Sequence, residues 1–586
     1  MDVNTLGRKH WRIEDRAPAA FTEGLPQVHP VVAQVLYNRG YRTPEAVDGF
    51  LNADHTLDGL YPLEGVAAAV ALVREVIVQG RLIVVYGDYD VDGVTAAAVL
   101  FETLQSLGAR VKAYIPSRED EGYGLNIDAI QLLVAEGAHL LITVDCGTRS
   151  IDEIARAREL GLHVIVTDHH QVGSHLPPAD IVINPKQQVV TAPDTAGAAH
   201  HNACGFTDLA GVGVAFRLAH ALIRENRRDP LPTTQTELVV EDLLDLVALG
   251  TVSDMVSLQG ENHTLVTRGL RSINQGHRPG LGALMSIAGV DPGKVTTKTI
   301  GFVISPRLNA AGRIDEATIA LELLLAPDMA SALPLAHELD ALNHRRRQIT
   351  SEVRERVREM VMRKVETPPL IFAASEDFPS GVVGLAASRL VDEFYRPSIV
   401  VAVEDEFSKG SARSIPEFDI TQALDTLDGL LVRHGGHAAA AGFTIRTARL
   451  PELERRLMLL AQAELGDLVL IPSITVDAEV PLGELTWDLY HQLELLQPFG
   501  FGNPTPVLVS RHVRVLSARA VGSDGQHLKL YVADGAGATW DAIAFRQGDW
   551  IGRIPTWVDL AYVLEMNEWN GRISLQLNVQ DIHVSP

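Results

Sequence analysis

Three aspartates at alternate positions are the feature of this chain most suggestive of chemistry. Asp88, Asp90 and Asp92 lie in the stretch GDYDVDG, directly after the apolar run LIVVY. In an extended segment this alternation would point all three side chains to one side. Carboxylates crowded in this way repel one another unless hard cations neutralise them. The spacing therefore predicts a metal site at the end of a strand, and it favours a catalytic one.

Two simpler interpretations of this stretch explain less of it. A calcium loop of the EF-hand kind needs a bidentate Glu at its twelfth position, which is Val99 here, and a helix before the loop, where β-branched residues indicate a strand. An acidic turn that caps a helix starting near Val94 accounts for one aspartate but not for three. The metal site remains the preferred interpretation.

More potential ligands follow later apolar runs of the same kind. They are Asp145 after the run LLITV, and Asp168, His169 and His170 after the run HVIVT. Helical stretches at 127–136 and 151–160 separate these runs, and such alternation predicts a doubly wound parallel sheet. Ligands bind at the C-terminal edge of such sheets. We therefore expect these residues to meet the aspartate cluster in space.

A further acidic position, Asp254, follows the stretch LLDLVALGTVS, which is expected to form a helix that breaks at Gly250. Carboxylates with one imidazole suit two divalent ions bridged by a carboxylate, with Mn²⁺ preferred and Mg²⁺ as the substitute. Zinc is disfavoured because the chain has only two cysteines. Two ions roughly 3.5–4 Å apart are suited to in-line displacement at phosphorus, so phosphoester hydrolysis is the predicted chemistry. The expected ligands are Asp88, Asp90, Asp92, Asp145, His169 and Asp254.

Several longer motifs point to a known family. They are GDYDVDG, TVDCGT, TDHH and ALGTVSDMVSL, then SREDEGYGLN, NPK, LAGVGVAF and GFVISPRLNAAGR, and finally GVVGLAASRL, GSARSI and HGGHAAAAGF. This set resembles the DHH phosphoesterase superfamily and, within it, the RecJ family of single-stranded-DNA exonucleases. The last three motifs are similar to the DHHA1 type of domain. The resemblance spans roughly residues 45 to 580.

The resemblance implies an activity that the residues alone do not reveal. Members of this family degrade single-stranded DNA from a 5′ end, processively, and release 5′-mononucleotides in DNA recombination and repair. The implied substrate is single-stranded DNA with a 5′ end, and single-strand-binding protein and a helicase are candidate partners. A monomer is expected.

The resemblance also implies residue roles. Asp90 and Asp145, completed by Asp88, would hold the first metal, while Asp92, Asp145, His169 and Asp254 would hold the second. Asp168 would orient a neighbouring histidine, and His170 would face the scissile phosphate. The implied substrate-binding residues are Arg118, Tyr123, Asn309, Arg313, Ser411, Arg413, Gly436 and His437.

Two alternative functions stay open. Shorter DHH relatives hydrolyse pyrophosphate, cyclic dinucleotides or oligoribonucleotides, but the length of this chain and its SREDEGYGLN segment disfavour them. A degenerate relative serves as a non-catalytic scaffold in the eukaryotic replicative helicase. Such scaffolds lose metal ligands, whereas every ligand position here holds Asp or His.

The composition is that of a globular protein of three or four domains, with 586 residues of which 46% are hydrophobic. No apolar signal core and no run of 18 apolar residues is found, and there are two cysteines, so a cytoplasmic protein without a membrane partner is expected.

The formal charge of −24 disfavours nucleic acid at first sight, but local charge decides binding. The basic stretch 342–365 is predicted to be a long helix joining two catalytic domains, either as a solvated spacer or in contact with DNA.

Short β-rich segments after residue 471 predict a small barrel, and the resemblance implies an OB-fold that binds single strands by stacking and a basic groove. Its candidate contacts are Phe499, Phe501, His527, Lys529, Phe545 and Trp569. The predicted organisation is an N-terminal segment (1–60), a DHH domain (61–275), a connecting region with a long helix (276–365), a DHHA1 domain across a cleft (366–468) and the OB-fold (469–586).

Overall fold

Four β-sheets organise the chain in a computed structural model that describes residues 9–52, 57, 62–117, 121–122, 124–187, 205–314, 317–363 and 366–585. One sheet is wholly parallel, one is mixed, one closes into a barrel, and the fourth is a two-stranded pair. The predicted fold class is confirmed: a doubly wound α/β domain, a second α/β domain and a C-terminal barrel. Within the described residues, no helix is both long and apolar enough to cross a membrane.

The N-terminal region is built from short elements that begin at proline or polar caps. Thr43, for example, accepts a hydrogen bond from the amide of Ala46, and Pro44 occupies the first helical position. The elements are β1 (His10–Ile13), α1 (Ala19–Glu23), α2 (Pro30–Asn38) and α3 (Pro44–Leu51).

The first α/β domain has a parallel sheet with strand order β3-β2-β4-β5-β6. Strand β2 is buried on both faces, as its unbroken apolar run requires: Ile83 and Val85 join the core beneath α5, α8 and α9, while Val84 and Tyr86 join that beneath α6 and α7. The elements are α4 (Val66–Val78), β2 (Leu82–Tyr86), α5 (Val91–Ser106), β3 (Arg110–Tyr114), α6 (Ile127–Ala135), β4 (Ala138–Val144), α7 (Ile151–Glu159), β5 (His163–Thr167), β6 (Ile181–Ile183), α8 (Gly211–Arg228), α9 (Leu244–Ser253) and α10 (Gly260–Gln275).

A helical region follows and ends in a helix of 34 residues, α15. This helix begins at Met329, well before the basic stretch, and its arginines pair with acids of the next domain: Arg356 with Asp377 at 2.6 Å and Arg358 with Glu393 at 2.7 Å. The elements are α11 (Pro279–Ala288), α12 (Thr297–Thr299), a π-helical turn (Ile300–Ile304), α13 (Ser305–Ile314), α14 (Thr318–Leu324) and α15 (Met329–Met362).

The second α/β domain has a mixed sheet with strand order β10-β11-β9-β8-β7. Helix α16 packs over β7 and β8 on one face, and α17 and α18 pack on the other face. The elements are β7 (Ile371–Ser375), α16 (Ser380–Phe394), β8 (Ser398–Ala402), β9 (Phe407–Arg413), α17 (Ile420–Asp425), β10 (Leu431–His437), β11 (Ala440–Arg446) and α18 (Leu450–Leu465).

The C-terminal barrel closes where β14 pairs with β17. Its core is shared with the start of the chain: β1 pairs in parallel with β12, and buried residues of α2 pack among those of the barrel. The elements are β12 (Ser473–Val476), β13 (Ala478–Glu479), α19 (Trp487–Glu494), β14 (Leu508–Val521), β15 (His527–Ala533), β16 (Thr539–Ala544), β17 (Trp557–Trp569) and β18 (Arg572–Val584).

Candidate metal centre and substrate cleft

The three aspartates of GDYDVDG lie on a strand-to-helix turn. Asp88 follows β2, Asp90 caps α5 by accepting the amides of Asp92 (2.9 Å) and Gly93 (3.1 Å), and Asp92 is in the first helical turn. The expected extended segment is therefore wrong beyond Asp90, and the helix begins at Val91 instead of near Val94. Because the Asp90 side chain accepts the first free amides of α5, the helix can begin directly after Asp90. As a result, Asp88 and Asp90 face Asp145, whereas Asp92 faces a different set of ligands.

Asp145 adopts a backbone conformation that is rare for a residue with a side chain. Its φ is +61°, and its amide donates to the carbonyl of Thr167 on the neighbouring strand. A Cβ at Gly211 would lie 2.6 Å from the Asp145 carboxylate, so only glycine allows α8 to approach this closely. Backbone strain held by close packing is common at functional sites.

Asp92 is held by the N-terminus of α8. Its two carboxylate oxygens accept the amides of Gly211 (2.6 Å) and Val212 (2.8 Å), where the helix dipole favours a negative charge. Each oxygen keeps a further lone pair for a cation. The motif LAGVGVAF thus positions a candidate metal ligand, which motif comparison alone did not reveal.

Asp254 follows the last residue of α9, which runs unbroken through Gly250 to Ser253. The expected break at Gly250 is wrong. A Cβ there would lie 2.3 Å from the hydroxyl of Thr95, so the glycine permits close packing of α9 against α5 rather than ending the helix. The helix stops because Met255 takes a positive φ of 59°.

His169 lies between Asp145, which is grouped with Asp88 and Asp90, and the pair formed by Asp92 and Asp254. Its Nε2 lies 3.1 Å from Asp145 Oδ1, 3.6 Å from Asp254 Oδ2 and 3.8 Å from Asp92 Oδ2. Asp145 Oδ1 and His169 Nε2 are both buried; their mutual contact lacks the geometry of a hydrogen bond, and neither atom has another hydrogen-bond partner among the described residues. Buried polar atoms of this kind require a partner. Oxygen-rich ligands with one imidazole nitrogen fit Mn²⁺ or Mg²⁺, so the predicted ligand set is assembled in a form that can hold such ions.

The shifted pKa values of these residues favour the binding of a cation at the site. Burial, followed by repulsion between neighbouring carboxylates, raises the pKa of Asp92 and Asp145, and the same causes raise that of Asp254 to about 7. Burial and the adjacent His170 lower the pKa of His169 to about 3, so its imidazole is neutral, as a metal ligand must be. A bound cation would favour the ionised carboxylates and offset their repulsion.

Asp168 is in hydrogen-bond contact with the ring of His170. Its Oδ1 lies 2.8 Å from His170 Nδ1 and accepts the amides of both histidines, while its Oδ2 accepts the amide of Thr148. Burial alone would raise the pKa of Asp168, but the hydrogen bond and charge of His170 hold it below its usual range. The same bond raises the pKa of His170 against the effect of burial. His170 also accepts a bond at its backbone carbonyl from Asn184 of the NPK motif, a supporting residue that had no predicted role.

A cleft of about 550 Å³ lies between the two α/β domains. Tyr89, Glu121 and Gly122 line one side, and Ser411 with other residues of β9, β10 and β11 lines the opposite side. Arg413 donates to the Ser411 hydroxyl at 3.1 Å, and Arg313 donates to the carbonyl of Gly381 at the start of α16.

The remaining predicted substrate residues are placed as follows. Gly436, with φ +155°, and His437 end β10 and are exposed. Asn309 accepts the amide of Val91, so in this structure it supports the aspartate turn. Arg118 and Tyr123 lie outside the described residues.

The barrel candidates differ in exposure. Phe501, Phe545 and Trp569 are exposed, at 63%, 51% and 72%. Phe499 is half-buried under Arg39, Lys529 pairs with Asp541 at 3.3 Å, and His527 packs edge-on against Phe545. Their contact with DNA stays a prediction.

Comparison with known protein families matches three parts of the chain. Residues 82–251 match the N-terminal domain of the DHH family, residues 367–462 the DHHA1 domain and residues 476–581 the RecJ OB domain. Among curated proteins, the single-stranded-DNA-specific exonuclease RecJ of Bacillus subtilis (strain 168) is 38% identical over 97% of this chain and 69% of its own length. RecJ of Dickeya dadantii is 37% identical over 97% and 98%, and RecJ of Escherichia coli is 35% identical over 96% and 97%.

Solved structures agree with these matches. The crystal structure of RecJ from Thermus thermophilus in complex with Mn²⁺ superposes with a TM-score of 0.82 at 31% identity, covering 98% of this chain and 80% of that one. The Mg²⁺ complex of the same protein gives a TM-score of 0.76 at 29% identity, covering 98% and 79%. Domain matches, near-full-length identity and the shared fold lead to one conclusion: the chain belongs to the RecJ family.

Proposed function

We propose that this protein is a metal-dependent exonuclease that degrades single-stranded DNA from the 5′ end and releases 5′-mononucleotides. The observation that carries the proposal is the grouping of six potential ligands next to Tyr89, which lines the cleft; two of their buried atoms have no hydrogen-bond partner among the described residues. These ligands are Asp88, Asp90, Asp145, Asp92, His169 and Asp254. Two divalent ions, with Mn²⁺ preferred, would supply a nucleophilic water and stabilise charge at the phosphate.

The residues around the metal centre have roles in this proposal that follow from their contacts. Asp145 would bridge both ions. His170, held by Asp168 and partly exposed, would face the scissile phosphate and would move a proton or donate a hydrogen bond there. Ser411, Arg413 and His437 would bind the 5′-terminal phosphate, since guanidinium groups pair well with phosphate oxygens.

The proposal extends to the setting of the reaction. The protein would act as a cytoplasmic monomer in recombination and repair, on strands that a helicase opens and single-strand-binding protein covers. Selection against duplex would be steric, through exclusion of a second strand from the cleft between the domains.

The test is degradation of a single strand labelled at its 5′ or its 3′ end, with a duplex control, in Mn²⁺ and in EDTA. We expect early release of mononucleotide from the 5′ label only, and loss of activity in EDTA and in Asp145→Ala. Asp152→Ala is the matched control, because Asp152 is an exposed aspartate on α7. Cleavage of dinucleotides or pyrophosphate with survival of long strands would contradict the substrate class, and no hydrolysis at all would favour a scaffold.

A further inference from the structure

One face of the second sheet carries three cross-strand rows of side chains on β9, β11 and β10, and the first two of these rows line the cleft. Period-two alternation places them on the face away from the core formed with α17 and α18. The first row is Lys409, Thr444 and Arg433, the middle row is Ser411, Gly442 and Gly435, and the third row is Arg413, Ala440 and His437.

The middle row has only short side chains or none, and each of the two rows beside it contains basic residues. Its two glycines, Gly442 and Gly435, leave the backbone open: a Cβ at Gly435 would meet nothing within 4 Å, and one at Gly442 only a carbonyl oxygen at 3.9 Å. The third row contains residues already proposed to bind the terminal phosphate. The first row, with two cations, is not among the residues proposed to bind that phosphate.

The first row lines the cleft more directly than the third. Lys409, Thr444 and Arg433 border the 550 Å³ cavity together with the middle row and Tyr89 of the first domain. Ser380, the first residue of the 15-residue helix α16, borders the same space, and a helix N-terminus favours anions.

The backbone positions of the two basic rows are well separated. Lys409 and Arg413 are four residues apart on one strand, a separation of about 14 Å. Arg413 donates to Ser411 of the middle row, whereas Lys409 lies 3.9 Å from the exposed Glu404. Arg433 donates to Thr444 at 3.3 Å, which keeps its guanidinium within the first row.

The charge of the first row is only partly compensated by acids. Within the described residues, Arg433 has no ion pair with an acid, and the Lys409–Glu404 pair is exposed, where such pairs contribute little. Glu121 borders the cavity and keeps its negative charge while it accepts the hydroxyl of Tyr114 at 3.0 Å, so it offsets only part of the charge of the two cations.

We propose that Lys409 and Arg433 form a further phosphate subsite, which takes a backbone phosphate of the single strand in addition to the terminal phosphate bound by the third row. This inference rests on the proposed function and names a second point at which the strand is held. Its effect is on affinity and on the salt dependence of strand capture.

The experiment compares wild type with Lys409→Ala/Arg433→Ala in Mn²⁺, using a 5′-phosphorylated single strand over a range of salt concentrations. We expect kcat/KM to fall about 10-fold or more, mainly through KM, and its log–log salt slope to become shallower by about 1.4, since each phosphate contact on a single strand contributes about 0.7. Inhibition by a deoxynucleoside 5′-monophosphate, which carries only the terminal phosphate, should change less than about twofold. Lys409→Arg/Arg433→Lys should keep most of the wild-type affinity.

Arg455→Ala is the matched control, because Arg455 is an exposed arginine on α18, on the opposite side of the sheet. An unchanged KM and salt slope in the double variant would overturn the subsite. An equal loss of mononucleotide inhibition would also overturn it, because the two residues would then belong to the terminal-phosphate site. Wild type that fails to degrade the strand would instead contradict the proposed function, so the two failures are distinguishable.

Discussion

At the scale of single residues, the metal centre depends on side chains that hold the ligands as much as on the ligands themselves. Asp168 is outside the predicted ligand set, yet it lies 2.8 Å from the ring of His170 and accepts the amides of His169 and of Thr148, which is in the loop after the neighbouring strand β4. Supporting residues of this kind typically contribute 10- to 100-fold to metal affinity or activity.

We expect Asp168→Asn to lower kcat by about 10- to 100-fold, because the amide cannot fix the same histidine tautomer or stabilise its charge. The pH profile of kcat should shift as well, since the bond to Asp168 raises the pKa of His170. Comparison with His170→Ala and the double variant measures the coupling. Additive losses would show that the two residues act independently and would contradict this role.

A second residue-scale prediction concerns the metal-free protein. In the absence of cations, burial and mutual repulsion raise the pKa of Asp254 to about 7 and also raise those of Asp92 and Asp145. The folded state therefore holds protons that the unfolded state releases near pH 4. The stabilisation from these protons is present at low pH and is lost as the pH rises through about 7.

The measurement is Tm against pH in EDTA and in Mn²⁺, for wild type and Asp254→Asn. We expect the EDTA-treated wild type to lose more stability between pH 5 and pH 8 than the variant, which has one titrating group fewer. The gain in Tm from Mn²⁺ should grow with pH, because binding releases protons. Parallel curves for the two proteins in EDTA would contradict the raised pKa of Asp254.

Residue types and strand-end positions were enough to predict that most of these acids and histidines lie together, because parallel strands bring their C-terminal ends to one edge. They could not predict how the ligands are grouped. That grouping depends on the cap at Asp90 and on the α8 amides that bind Asp92, which are separated from it by 119 residues in sequence.

At the scale of elements, the loop 497–504 connects the barrel to the segment that follows Asp254. The amide of Leu258 donates to the carbonyl of Phe501 at 2.8 Å, and Gln259 donates to the carbonyl of Gly502 at 2.7 Å. The glycines and prolines of this segment favour a turn-rich loop. The contact itself is not predictable from them, because nothing local to the loop specifies where it docks.

We expect Gly502→Ala to weaken this contact and to lower kcat/KM about 10-fold by displacing Asp254. Gly502 has a φ of +73°, and a Cβ would lie 2.2 Å from the Ser257 hydroxyl, so the cost includes about 1–3 kcal/mol of backbone strain and a steric clash. Gly537→Ala is the control, because it has a φ of +95° and no atom within 4 Å. Equal effects of the two substitutions on kcat/KM would contradict a role for the loop contact.

At the scale of the whole molecule, the two ends of the chain form one folded unit. The indole Nε1 of Trp11 donates to Asp581 at 2.7 Å, and the rings of Trp11 and His583 stack at 3.8 Å. The sequence predicted a barrel and a separate N-terminal segment, but pairing across 570 residues leaves no periodic signal in either one.

This shared core leads to a prediction about stability. Leu36 of α2 is fully buried in the cluster that also contains Leu560 of the barrel. Leu36→Ala should destabilise that unit by about 2–5 kcal/mol, because it leaves a cavity in a core that the barrel strands complete. Hydrogen exchange should therefore become faster in β14, β17 and β18, far from the substitution in sequence.

The control is Leu133→Ala. Leu133 is equally buried but lies in the first α/β domain, so this substitution should leave those barrel amides protected. If Leu36→Ala instead loosened only residues 19–51, the N-terminal region would be an independent unit, and the shared core would contribute little to the stability of the barrel.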